Sequence, residues 1–186
     1  MIASEPHSLL ILYGSQTGCA QEVAEEVGEM ARRRFFNPRV MAMDAYAQAH
    51  LDDLDEEPLV FFVASTTGEG TCPDNMAKFW RFLLRRDLPR DSLSRVCFSV
   101  FGLGDSSYSK FNAVARRLNA RLLQLGATAV HERGLGDDQS THGFLSDLDP
   151  WLQALWPVVL QRFPLPPGYN VDDAPHPSPP CGESFC

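Results

Sequence analysis

Four short stretches of the chain combine glycine with hydroxyl or acidic side chains, and the one without a carboxylate has the residue types to hold an anion. The first is Gly14-Ser15-Gln16-Thr17-Gly18-Cys19-Ala20. Small residues there let the backbone wrap an anion, and free N–H groups at the start of a following helix favour negative charge. Ser15 and Thr17 add hydroxyl donors. No Lys follows, so the stretch departs from the G-x-x-x-x-G-K-[ST] loop that holds nucleoside triphosphates. It suits a terminal phosphate monoester held by dipoles and hydroxyls without a cation. An ordinary turn with a helix cap needs similar residues, so this loop alone decides nothing.

The other three are Ser65-Thr66-Thr67-Gly68-Glu69-Gly70, Gly102-Leu103-Gly104-Asp105-Ser106-Ser107-Tyr108 with Phe111-Asn112 one turn further on, and Gly134-Leu135-Gly136-Asp137-Asp138. One loop is enough for a phosphate, so the remaining three are expected to line a flat, polar-edged ligand. Glu69, Asp74, Asp105, Asp137 and Asp138 lie in or beside these loops. Each alone reads as a solvated surface acid; together they would form a negative rim that steers basic partner surfaces.

The elements that must position these loops alternate between strand and helix patterns. Strands are expected over 8–13, 39–43, 59–64, 95–101 and 128–133, and helices over 19–34, 75–86, 107–125 and 144–162. An acidic, partly helical connection is expected over 44–57. Continuous apolar strands separated by amphipathic helices imply an α/β fold, a parallel sheet with helices on both faces. Five strands and their connections suit the doubly wound order 2-1-3-4-5, with ligands beyond the carboxyl ends of the strands. Periodicity does not separate this from a response-regulator or hydrolase arrangement; the loops must. After Phe163, seven prolines crowd a segment with few apolar residues. The expected division is therefore a domain over 1–163 and a linker or tail over 164–186.

Composition narrows the function classes. The apolar fraction of 44% supports an ordinary core, and no apolar run is long enough for a bilayer. No basic region followed by an apolar stretch opens the chain, so no secretory signal is expected. The net charge of −8 argues against a nucleic-acid partner. The five cysteines lack metal-site or disulfide-framework spacing, which favours a reduced, cytoplasmic setting. Cys97 reads as core, and Cys181 and Cys186 as free thiols in the tail.

The blocks Ser15-Gln16-Thr17-Gly18, Thr67-Gly68-Glu69-Gly70, Pro73-Asp74-Asn75 and Leu103-Gly104-Asp105-Ser106-Ser107-Tyr108 resemble the flavodoxin-like FMN domain of the diflavin reductases. That family includes the microsomal cytochrome reductases, the sulfite reductase flavoprotein and the nitric oxide synthases. The run from Pro73 to Phe82 and the stretch from Gly134 to Gln139 are most similar to its soluble, NADPH-dependent branch, which serves cytosolic iron–sulfur cluster assembly. The resemblance covers about residues 8–163.

The resemblance implies that Ser15, Gln16, Thr17, Gly18, Cys19 and Ala20 hold the FMN phosphate. Ser65, Thr66, Thr67 and Gly68 would border one side of the ring. Leu103, Gly104, Asp105, Ser106, Ser107, Tyr108, Ser109, Lys110, Phe111 and Asn112 would border the other, with Tyr108 stacked on the isoalloxazine and Asp138 closing the ribityl edge. Two residues depart from the wider family: Thr67 stands where microsomal reductases carry an aromatic, and Cys19 replaces a Thr, removing a hydroxyl donor. The resemblance also implies partners: a reductase module carrying FAD and NADPH, and an iron–sulfur protein acceptor of the anamorsin type. No G-x-G-x-x-G motif follows a strand here, so the chain is expected to be a fragment, a truncated gene model or a stand-alone domain. The competing expectations are a free-standing flavodoxin, an FMN-dependent NAD(P)H:quinone reductase and an interaction domain without flavin.

Overall fold

In the computed structural model, which describes residues 5–171, Leu9, Leu10, Ile11 and Leu12 of strand β1 (His7–Gly14) are all fully buried. A strand buried on both faces needs a layer above and a layer below. Leu10 and Leu12 point into one core with Val60, Phe62, Phe98 and Val100. Helices α2 (Met43–Ala49), α3 (Ala77–Leu83) and α4 (Ala113–Gln124) cover it. Leu9 and Ile11 point into the other, with Phe61, Val63 and Phe101, beneath α1 (Cys19–Arg33) and α5 (Leu145–Arg162).

β1 pairs in parallel with β2 (Phe36–Ala42) on one side and β3 (Leu59–Ser65) on the other. β3 pairs in parallel with β4 (Cys97–Gly104), and β4 with β5 (Thr128–Ala129). The order is β2-β1-β3-β4-β5, the doubly wound arrangement expected from the sequence. All four glycine-bearing stretches therefore begin at the same end of the sheet.

Several boundaries differ from those that periodicity suggests, each for a local reason. The last strand is split. β5 ends after two residues, and the chain rejoins β4 as β6 (Gly134–Asp137), opposite Phe101 to Gly104. The expected fourth loop is thus largely strand, because Gly134 and Gly136 press against Phe101; a Cβ on Gly134 would sit 2.3 Å from its ring. A short strand β7 (Thr141–Phe144) then leads into α5. The helix expected from 107 starts only at Ala113, since Asn112 adopts φ 51°, a left-handed conformation that interrupts helical dihedrals. The helix expected from 75 is a 3-10 turn (Asp74–Met76) followed by α3, whose first N–H groups, those of Lys78 and Phe79, donate to Asp44 Oδ1 at 2.8 and 2.9 Å.

Composition puts a linker at residue 164, but the first residues of that segment lie along the domain. His7 Nε2 donates to the Pro164 carbonyl at 2.9 Å. The Tyr169 hydroxyl donates to the Arg33 carbonyl at 2.9 Å, and its ring packs 5.2 Å from that of Phe35. Residues 172–186, with Cys181 and Cys186, lie outside the described residues. Among those described, Cys19, Cys72 and Cys97 are free, and Cys97 is buried as expected. No described helix is long and apolar enough to cross a membrane, and no described His, Cys, Asp or Glu residues gather into a metal-holding group.

Charge is unevenly distributed. Residues 77–126 contain ten of the sixteen Lys and Arg residues but three of the twenty-four acids. Arg81, Arg86, Arg116 and Arg117 of this segment are exposed. The net charge of the chain is therefore no argument about the α3–α4 face.

Candidate functional site

The loop between β1 and α1 turns on Gly18, whose φ of 109° is closed to residues with a side chain. Its N–H donates to Ser15 Oγ at 3.0 Å, so the Ser15 hydroxyl closes the loop on itself. Thr17 Oγ1 lies 3.6 Å from Cys19 Sγ and donates to it. The Ser15 N–H is taken by Asn75 Oδ1. The N–H groups of Gln16, Thr17, Cys19 and Ala20 have no acceptor among the described residues. Four orphan donors at the positive end of a 15-residue helix form a ready anion site, and residues 14–20 include no carboxylate to oppose it.

The loops after β3 and β4 face each other across a narrow cleft. It is lined by Thr66, Thr67, Gly68, Asp105, Tyr108, Lys110, Phe111 and Asn112. All eight are residues that the sequence reading assigned to the ring walls. The cleft holds only about 10 Å³, because Tyr108 lies over Gly68, with Cε1 3.5 Å from where a Cβ would be. Tyr108 is 55% exposed, so one face of its ring is open to a further contact.

Several residues of the expected set lie outside the cleft, and others that line it are also tied into the scaffold around it. Ser65 Oγ donates to the Gly14 carbonyl, tying β3 to the start of the first loop. Thr66 Oγ1 accepts the Val114 N–H and so helps to start α4. Thr67 N–H and hydroxyl both donate to the Thr71 carbonyl, at 3.2 and 3.0 Å, and Arg117 donates to the Gly70 carbonyl. These bonds close the 67–71 turn. Leu103 is buried, and Ser106, Ser107 and Ser109 are exposed at the rim. Asp138 is exposed and is placed by its N–H, which donates to the Gly104 carbonyl at 2.9 Å.

Asn112 holds the ring side together from beneath. It is fully buried, its Nδ2 donates to the Gly136 carbonyl at 2.9 Å, and its Oδ1 has no partner. Gly102 is obligatory above it, because a Cβ there would lie 2.6 Å from Asn112 Oδ1. Two of the expected rim acids are also structural. Asp137 Oδ1 accepts the N–H groups of Ser106 and Gln139, and Asp105 Oδ1 accepts that of Ser107. Hydrogen bonding from Ser106, its side chain first and its N–H second, holds the Asp137 carboxyl below its ordinary range, and hydrogen bonding from Ser107 does the same for Asp105. Asp137 thus staples the β4 loop to β6, which the reading of it as a solvated acid did not anticipate.

Nothing in the sequence marks Asp44, Asp147 or the working contacts of Asp74 and Asn75. Asp147 Oδ2 accepts the Asp137 N–H and the Ser140 hydroxyl. The Pro73-Asp74-Asn75 motif was visible in the sequence, but nothing in its spacing showed which loop it touches.

A flavodoxin family profile matches residues 11–151. The NADPH-dependent diflavin oxidoreductase 1 of Danio rerio is 52% identical over 87% of this chain, and its namesake in Mus musculus is 50% identical over 90%. The chain spans 27% of the length of each. Among solved structures, a cysteine-to-alanine mutant of flavodoxin from Pseudomonas aeruginosa superposes with a TM-score of 0.67 at 28% identity. That match covers 81% of this chain and 97% of the flavodoxin.

Proposed function

The chain belongs to the flavodoxin family, and we propose that it binds one FMN in the loops described and serves as the electron-carrying domain of an NADPH-dependent diflavin reductase. One observation carries this reading: four orphan N–H groups at the start of α1 share a sheet end with an exposed Tyr108 facing Gly68. The donors of Gln16, Thr17, Cys19 and Ala20, with the Thr17 hydroxyl, hold the phosphate. Thr66 to Gly68 border the ring on one side and Tyr108 on the other, with Asp138 at the ribityl edge. FMN, when bound, supplies the interconversion of paired and single electrons. The protein positions it, shields it on the Tyr108 side and leaves the Thr67 side open.

In the whole protein, an FAD- and NADPH-binding reductase module delivers electrons. They leave singly to an iron–sulfur or haem protein, an acceptor of the anamorsin type in cytoplasmic iron–sulfur cluster assembly. The likeness to NADPH-dependent diflavin oxidoreductases over nearly all of this chain supports the reductase module. The acceptor rests on the similarity of the 73–82 and 134–139 runs to the soluble branch. A free-standing flavodoxin is the second reading, favoured by coverage of 97% of the Pseudomonas aeruginosa protein, but identity there is 28% against 52%.

Calorimetry of the purified chain with FMN, riboflavin and FAD tests the cofactor. FMN should bind at least about tenfold more tightly than riboflavin, the worth of charge-assisted bonds to one phosphate. Equal affinity would remove the phosphate role. Chemically reduced, FMN-loaded chain should then reduce a haem protein in stopped flow; failure to do so would remove the carrier role.

A further inference from the structure

The Pro73-Asp74-Asn75 motif lies outside the cleft bordered by Tyr108 and Gly68, yet it grips the other half of the site. Asn75 Oδ1 accepts the Ser15 N–H at 2.9 Å across the 60 positions that separate them. Beside it, Gln16 Nε2 donates to Asp74 Oδ2 at 3.3 Å, and the Asp74 N–H donates back to Gln16 Oε1 at 3.1 Å. Met76 closes the contact from below: a Cβ at position 14 would meet its Sδ at 2.9 Å. Three hydrogen bonds and one packing contact therefore fix residues 14–16 from a single turn. Asp44 anchors that turn in its place by holding the first N–H groups of α3.

We propose that Asn75, supported by Asp74, is a positioning residue that makes the loop selective for a phosphate-bearing flavin. The inference rests on the FMN reading and deepens it. By taking the Ser15 N–H, Asn75 sets the plane of the peptide entering the loop, and with it the direction of the donors that follow. A loop ordered only on binding loses affinity to the entropy of ordering, whereas a loop already held does not. Neither side chain has to touch the phosphate. The Asp74 carboxylate is engaged by the Gln16 amide, and Asn75 is neutral.

The test compares dissociation constants for FMN and riboflavin in the full chain and in Asn75→Leu, which keeps the approximate shape but loses the acceptor. FMN binding should weaken about tenfold, the loss of one well-placed hydrogen bond, while riboflavin binding changes less than about twofold. Asn75→Asp keeps an acceptor for the same N–H, so it should retain most of the selectivity in high salt, where its added charge is screened. Amide exchange at Ser15 should accelerate in Asn75→Leu and stay slow in Asn75→Asp. Should Asn75→Leu fail to fold, Gln16→Leu breaks the clasp from the other side and should cost FMN about threefold in affinity, less than the loss of a full hydrogen bond. Unchanged selectivity in the leucine variants, or equal loss of both flavins, overturns the positioning role. A wild-type chain that does not distinguish the two flavins overturns the FMN reading itself.

Discussion

Residues 15 and 16 are held by side chains that reach in from the solvent side, whereas the loop after β4 is built on a side chain that never meets solvent. Gln16 and Asp74 are exposed and Asn75 is half-buried, while Asn112 is fully buried beneath Gly102 and Gly104. The two halves of the site therefore carry different risks. A change in the first alters how a ligand is met and leaves the core as it was. A change in the second removes part of the scaffold. The phosphate half is tuned from outside, and the ring half, its exposed Tyr108 apart, is part of the fold.

The strongest way to break this contrast is Asn112→Ala. It removes the bond to the Gly136 carbonyl, opens a void under Gly102, and places alanine at φ 51°, a conformation asparagine tolerates better. Stability to urea should fall by about 2–4 kcal/mol, with loss of flavin as a consequence. Asn112→Gly relieves the backbone and should cost less. A fully stable Asn112→Ala variant that merely bound flavin weakly would place Asn112 with the phosphate loop and end the distinction.

Tyr108→Ala sharpens the contrast from the opposite direction. The ring is more than half exposed, so its loss should barely move the urea midpoint. Flavin affinity should nevertheless drop by about 1–2 kcal/mol, the worth of an aromatic stacking contact, and the fluorescence of the flavin that remains bound should rise. Unchanged affinity and fluorescence would mean that Tyr108 is a rim residue with no part in the ring wall.

A smaller effect should appear in acid. Asp105 and Asp137 have carboxyls held below the ordinary range by hydrogen bonds, from Ser107 and Ser106 respectively. A depressed folded-state pKa adds stability that is complete above the unfolded value, about 3.9, and is lost as pH falls through the lowered one. Flavin retention should therefore be flat from neutrality to about pH 5 and decline only below about pH 4, tracked by released-flavin fluorescence. Asp137→Asn keeps an acceptor and removes the titration, so its decline should be shallower. An identical acid profile in that variant would show that Asp137 does not staple the β4 loop.

The sequence made a parallel sheet with both faces covered legible because β1, β3 and β4 are continuous apolar runs, whereas its order followed only with the loops and the family resemblance. It also made all eight cleft-lining residues legible, though through the resemblance of whole motifs and not through any one loop. What it hid depends on long-range contact. Asp44 looks like a connection residue until α3 lies against it, and Asn75 becomes a clasp only when β1 and β3 are neighbours. Boundaries were lost where one residue overrides periodicity. Left-handed Asn112 delays α4, and Gly134 pressed on Phe101 turns an apparent loop into β6. Net charge hid most, since it averages a basic α3–α4 segment with an acidic remainder.

The smallest effect should come from Cys19→Thr, and it separates the two halves most cleanly. Cys19 opens α1, its N–H has no acceptor among the described residues, and its thiol receives the Thr17 hydroxyl at 3.6 Å. Sulfur is a weak acceptor and a weak donor, so the thiol adds little to an anion site beyond the backbone N–H beside it. A threonine hydroxyl at the same place would offer a further donor to a phosphate. It would also be a stronger acceptor for Thr17, which could draw that hydroxyl away from the ligand. The gain in one bond is therefore partly offset by competition within the loop, and FMN should tighten by no more than about fivefold, well under the full worth of a charge-assisted bond. Riboflavin affinity should stay the same, because it has no phosphate to meet the new donor. The urea midpoint should stay within about 0.5 kcal/mol of wild type, since helix starts accept either residue. If Cys19→Thr instead shifted stability while leaving the FMN-to-riboflavin ratio untouched, residue 19 would belong to the scaffold, and the phosphate loop would be no more separable from the fold than the ring wall.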